Sequence, residues 1–186
     1  MARPRKSEGD ARARLADSVG RGFRIGGFGG AGVDALAKGA GLTSGAFYAH
    51  FESKADAFRL AVADGLAFLR DGIGKFQTQY GSGWRDPFID FYLGPRMEVG
   101  LDEACALPSF SSDVARADAA TRAVYQAELE QLADLVAHGF RGAHARQRAL
   151  ALLAILTGAA DMARAVKDDG VRRDILAAAK LAAKAI

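Results

Sequence analysis

The sequence predicts an all-α fold, a three-helix unit followed by a longer helical bundle. Three observations point to it. Apolar residues recur every three or four positions in most segments, and no stretch alternates apolar with polar residues as a half-buried strand would. Half of the 186 residues are hydrophobic, Ala is very frequent and Pro occurs only four times, the balance of a mostly helical chain with a real core. Glycines gather where the periodicity stops, which marks the breaks between helices.

The first six residues, with Arg3, Arg5 and Lys6, read as a basic arm. From Glu8 to about Ile25, the positions Ala11, Leu15, Val19, Gly22 and Phe23 fall at helical spacing and predict the first helix. Gly26 to Gly32 is expected to be a turn, because so many glycines raise the entropy cost of a helix there. Val33 to Gly41 follows as an alanine-rich second helix that Gly41 stops, and Ser44 to His50 as a short third one. Ser53 reads as the N-cap of a long amphipathic helix with Ala57, Phe58, Ala61, Val62, Leu66 and Leu69 on one face. Tyr80-Gly-Ser-Gly-Trp84 breaks it. A short helix is expected over Pro87–Leu93, then irregular chain to Pro108, then a short helix from Ser109 to Arg116. Asp118 caps a helix running to Phe140. Helices 145–166 and 171–186, joined by Asp168-Asp-Gly170, complete the chain.

Helix, glycine stop, then a short aromatic helix opened by hydroxyl residues is the sequence form of a helix-turn-helix. Such a unit directs its second helix into the major groove of DNA. Thr43 and Ser44 would open that helix against phosphate or a base edge, while Gly45 and Ala46 are small enough for close approach. Tyr48 offers a hydroxyl to phosphate, and His50 and Lys54 offer further phosphate contacts. Phe47 is a candidate for a thymine methyl or a sugar, and Phe51 is assigned to packing. Arg5 and Lys6 extend the basic set. Charge distribution agrees: residues 1–54 hold nine Lys/Arg against five Asp/Glu, whereas 55–186 hold sixteen against seventeen. The excess positive charge sits on the expected DNA-binding end, 1–54, and not on 55–186.

Residues 15–58 resemble the N-terminal domain of TetR-family transcriptional regulators. The resemblance is carried by Phe23, Gly27-Phe28, Val33, Leu36-Ala37, Ala40-Gly41-Leu42, Gly45, Phe47-Tyr48, His50-Phe51 and Ser53-Lys54. The stretch from Cys105 through Asp113-Val114-Ala115-Arg116 to Tyr125 is similar to one common subgroup. One departure is Gly32, which stands where family members usually cap the second helix with a hydroxyl. The resemblance implies a three-helix DNA-binding domain over 1–54 and a helical-bundle regulatory and dimerisation domain over 55–186. It also implies a homodimeric repressor, released from a pseudo-palindromic double-stranded operator by a small effector.

The effector pocket is expected among Trp84, Phe88, Phe91, Tyr92, Met97, Phe110 and Tyr125, whose character suggests an apolar or aromatic ligand. The two last helices carry apolar residues on more than one face. Leu152, Ile155, Leu156 and Ala159 would face the monomer core. Ala154, Gly158 and Met162, with Ala178, Ala182 and Ile186, would then form the dimer face.

Other readings are weaker. Gly27 to Gly32 matches G-x-G-x-x-G, with Glu52 about 20 residues beyond, but neither lies on a strand as a dinucleotide site requires. His50, His138 and His144 lack metal-ligand spacing, and no nucleophile elbow occurs. No enzyme activity, cofactor or metal is therefore expected. Cys105 excludes an intrachain disulfide and, with Asp102 and Glu103 nearby, reads as structural. The N-terminus lacks an apolar signal core, and the run Ala149–Ala160 is too short to span a membrane, so a cytoplasmic protein is expected. The alternative is a helical adaptor that binds a partner protein and not DNA. It leaves the basic arm and the Thr43-Ser44 helix start without a reason.

Overall fold

The computed structural model describes the backbone of residues 5–186 and the side chains from Ala11 onward. Nine α-helices and three 3₁₀ turns make up the described residues, with no strand among them. The first three helices are α1 (Arg5–Gly30), α2 (Val33–Gly39) and α3 (Ser44–His50). They pack around Leu15, Val19, Phe23, Leu36, Ala37, Phe47 and Phe51, all buried.

The glycine-rich segment departs from the expected open turn. Helix α1 continues past Gly26, breaks only at Gly27 (φ 65°, ψ 177°), and Phe28–Gly30 winds one further turn. Side-chain packing outweighs the glycine entropy cost here. The Phe28 ring lies 6.0 Å from Phe23 and 5.2 Å from Phe58, and its backbone N–H donates to Asp113 Oδ2 at 2.7 Å. Gly41 does what the sequence suggests. Its φ of 70° ends α2 in a turn in which Gly41 N–H donates to Lys38 O and Leu42 N–H to Ala37 O, both at 2.9 Å.

The long helix α4 (Lys54–Tyr80) is capped by Ser53, whose Oγ accepts from Asp56 N–H at 3.1 Å. It packs against α1, α5 (Arg85–Tyr92), α6 (Ala106–Val114) and α7 (Ala119–Ala137), and so forms the spine of the molecule. Helix α8 (Ala145–Ala165) rests on α6 and α7, and α9 (Asp169–Ala185) on α5 and α8. One continuous hydrophobic cluster runs from Leu15 in α1 to Ala183 in α9, so the N-terminal helices are joined to the bundle by packing as well as by the chain.

Both short prolyl helices begin earlier than expected. Helix α5 starts at Arg85 and α6 at Ala106, which puts Pro87 and Pro108 in the first turn. A proline costs little there, because first-turn N–H groups have no intrahelical acceptor. Leu152, Leu156 and Ala159 of α8 are buried as expected. On the outer side of α8 and α9, Ala154, Ala178 and Ala182 are exposed, and Met162 is 58% exposed. Gly158 has open space beside it. Ile186 instead packs partly against the chain's own core, at the end of α9 that Lys184 ties to Asp90 of α5.

Candidate functional site

The exposed surface of the helix-turn-helix is set by how α3 is held. Thr43 caps it, with Oγ1 accepting from Ala46 N–H at 3.2 Å. The Ser44 hydroxyl donates to the Asp34 carboxylate of α2, which ties the two helices and leaves the serine oxygen lone pairs free. Gly45 and Ala49 are exposed, and Tyr48 projects with 58% of its surface exposed. His50 is half-buried at the helix end. Lys54 opens α4 beside this surface, its Nζ 4.9 Å from the centroid of the Phe28 ring. Thr43, Gly45 and Tyr48 thus form the exposed side of α3, and Lys54 stands at the start of the next helix over Phe28.

Phe47 does not belong to that surface. It is fully enclosed, with ring centroids 5.4 Å from Tyr48 and 5.1 Å from Phe51. The turn of about 100° per residue in a helix points it inward while Tyr48 points out. It is a core residue and reaches no base or sugar. Phe51, assigned to packing from the sequence, is buried as well. Gly32 caps α2 with no side-chain hydrogen bond, as the departure from the family pattern implies. The side chains of Arg5 and Lys6 lie outside the described residues; their backbone opens α1 and is not a separate arm.

The second feature is a cavity of about 740 Å³ between α1, α4, α5 and the segment 96–106. Of the aromatic residues expected to line a pocket, Phe88, Phe91 and Tyr92 do so. Trp84, Met97, Phe110 and Tyr125 do not. Trp84 is buried beneath Gly139, where a Cβ would strike the indole, and Phe110 faces Phe58 with centroids 5.5 Å apart. Met97 is buried beyond the lining, its carbonyl accepting from Arg172 at 2.8 Å. The Tyr125 hydroxyl pairs with Ser111 Oγ at 2.9 Å, tying α7 to α6.

In their place the cavity takes Phe68 and Phe76 from α4, Arg24 from α1, and Arg96 and Cys105 from the segment after α5. Burial pushes the Cys105 thiol up from its ordinary range, and a hydrogen bond with Tyr92 acts in the opposite sense. Tyr92 is itself raised well above the usual phenol range by burial and then by Cys105. Both groups are thus neutral at physiological pH. Among the described residues, no three His, Cys, Asp or Glu side chains are placed to hold a metal ion. No described helix is long and apolar enough to cross a membrane.

A capped, glycine-stopped helix pair presenting a small polar surface, bolted to a helical bundle that contains a cavity, defines a class: DNA-binding transcription regulators of the helix-turn-helix type. Comparison narrows it. Residues 22–61 match the family model of bacterial regulatory proteins of the tetR family. The whole chain superposes on a TetR-family regulator from Cytophaga hutchinsonii with a TM-score of 0.78 at 15% identity, covering 99% of this chain and 98% of that one. A TetR-family regulator from Agrobacterium tumefaciens gives a TM-score of 0.75 at 17% identity, with 91% and 97% covered. The reduced form of Escherichia coli NemR gives 0.75 at 18%, with 91% and 95% covered. No curated protein matches by sequence. The N-terminal unit is a tetR-family DNA-binding domain, and the chain as a whole has the fold of that family's regulators.

Proposed function

We propose that the protein is a homodimeric repressor that binds a pseudo-palindromic operator and leaves it when a small molecule enters the cavity between α1 and α4. The observation that carries this reading is the placement of the cavity. Its wall includes Ala13, Ala16, Gly20 and Arg24 of α1, the helix on which α2 and α3 are mounted, and Ala61 to Phe76 of α4. A ligand there touches both the reader and the bundle. It needs no relay to favour one orientation of α1 over another, and such a preference is the differential binding that a switch requires. Paired recognition helices in a dimer would meet successive major grooves on one DNA face, which gives the operator its two-fold character.

Phe68, Phe76, Phe88 and Phe91 make the cavity wall aromatic, which supports an effector with an apolar or aromatic body. Selection of bound duplexes from a random pool tests the DNA half of the reading. The expected product is an inverted repeat whose half-sites lie about one helical turn apart. An unstructured pool whose retention does not fall with salt would support the adaptor instead.

A further inference from the structure

The cations of the cavity differ in whether they are neutralised. Arg21, on one side, is engaged by three carboxylates: Asp17 at 3.0 Å, Asp102 at 3.1 Å and Glu103 at 3.7 Å. Arg24, one turn further along α1, has no ion pair among the described residues. Its guanidinium lies 5.4 Å from the centroid of Phe110, and its Nε is buried with no hydrogen-bond partner. Among the described residues Arg96 has no carboxylate partner either, and it donates to the Glu103 backbone carbonyl. Both guanidiniums line the same cavity, where burial first and, among the neighbouring cations, Arg96 hold Arg24 below the usual arginine range. Asp64, the remaining carboxylate of the lining, is exposed and forms no ion pair with either arginine among the described residues. Two like charges thus line one cavity without a carboxylate partner among the described residues. That arrangement is costly unless something anionic completes it, because a partly desolvated cation needs a partner and arginine cannot discharge.

We propose that the cavity binds an amphipathic organic anion, an aromatic carboxylate whose head group bridges Arg24 and Arg96 while its body lies against Phe76, Phe88 and Phe91. Planar guanidiniums suit a carboxylate, which each can meet with two N–H groups. The proposal rests on the cavity being the effector site and adds the charge of the ligand. It also supplies a direct path to the reader. Arg24 sits three residues before the Gly27 break, so drawing it towards Arg96 pulls on α1 just where that helix turns to α2.

Calorimetry on the full-length protein at neutral pH tests this with two matched pairs of probes, 2-naphthoate with 2-naphthamide and cinnamate with cinnamamide. Each acid is expected to bind about tenfold or more tighter than its amide. Arg96→Gln and Arg24→Gln should each remove about that factor from the acids and leave the amides within about twofold. Arg24→Lys should recover part of the loss. Should Arg24→Gln fail to fold, as judged by circular dichroism, Arg96→Gln at the more exposed side decides alone. Amides that bind as well as the acids, or acids indifferent to both variants, would overturn the anion while leaving the effector cavity in place. Binding by neither acids nor amides would overturn both. Acids that bind through the arginines without loosening DNA would uphold the anion and remove the cavity's regulatory role.

Discussion

Tyr48 and Lys54 occupy different settings, and this shapes what their loss should do. Tyr48 projects into solvent, so Tyr48→Phe deletes a hydroxyl and leaves the fold alone. Lys54 stands over Phe28, so Lys54→Ala removes a cation–π contact as well as a charge. Both variants should weaken binding to all DNA sequences, since phosphate contacts position without specifying. Lys54→Ala should also lower the slope of log affinity against log salt by about one phosphate contact. Fluorescence anisotropy across a salt series checks this, and unchanged affinity and slope in both folded variants would remove the assignment. Cys105 illustrates the opposite case. Its thiol faces the cavity beside Tyr92, but burial keeps it protonated, and only the thiolate is an effective nucleophile. Native protein should therefore react with iodoacetamide about tenfold or more slowly than unfolded protein at the same pH. Cys105→Ser should keep DNA binding and its response to ligand, and a DNA complex that mild peroxide releases in the native protein but not in that variant would reverse this view. The exposed Tyr48 and the buried Phe51 were legible in the sequence from side-chain chemistry, since a phenol hydroxyl suits water or phosphate and a bare ring suits the core. It did not decide Phe47, which lies one residue from Tyr48 on a helix too short for periodicity to choose a face.

At the scale of elements, one of the contacts between reader and bundle is made by α6, beside those of α4 and the 101–103 turn. Asp113 accepts from the Phe28 N–H at 2.7 Å and pairs with Arg116 at 2.9 Å. It thereby ties the Gly27 break in α1 to α6. Asp113→Ala leaves a part-buried N–H without an acceptor, which should cost about 1–3 kcal/mol of stability. It should also weaken the coupling between ligand and DNA, measured as the ratio of DNA affinities with and without ligand. Asp113→Asn keeps an acceptor for Phe28 and should retain most of that coupling; equal behaviour of the two variants would show that the bond to Phe28 is not the link. Close approach is the second device. A Cβ on Gly65 of α4 would strike Ala106 at the start of α6, so Gly65→Ala should destabilise by about 1–3 kcal/mol through overpacking. Chemical denaturation checks it, and a stability gain, as for a glycine in an open helix position, would show that α6 yields. Neither contact was legible beforehand. The caps and breaks are local, so Gly41, Ser53 and Asp118 announce themselves. The Asp113–Phe28 bond joins residues 85 apart, and the cavity draws on α1, α4, α5 and the segment 96–106. Of the aromatic cluster at 84–125, Phe88, Phe91 and Tyr92 line the cavity, but nothing in the sequence signalled that Arg24 of the first helix would line it with them.

At the scale of the whole molecule, the outer face of α8 and α9 remains without a covering element among the described residues. Leu150 is 40% exposed, Met162 58%, Val171 47% and Leu181 76%, with Ala154, Ala178 and Ala182 between them. A soluble monomer rarely leaves so many apolar residues together on one surface. The small residues Ala154, Gly158 and Ala178 would let a second copy bring its own helix pair close across a two-fold axis, burying the larger ones in a four-helix interface. Ile186, turned partly onto its own core, would contribute at most an edge. Gly158 provides a clean test because a Cβ there meets no atom of a neighbouring element within 4 Å among the described residues. Gly158→Glu should therefore fold as well as the native chain, and its helix should be somewhat better formed, since glycine is a poor helix residue. What it should lose is the partner, because a carboxylate would be buried at the axis opposite its own copy. Light scattering at micromolar concentration should then give the mass of one chain for Gly158→Glu and of two for the native protein. Tight operator binding should fall with it, since a lone recognition helix holds only one half-site. A native protein that is monomeric would defeat the dimer outright, whereas a Gly158→Glu dimer that still binds would move the interface to another face.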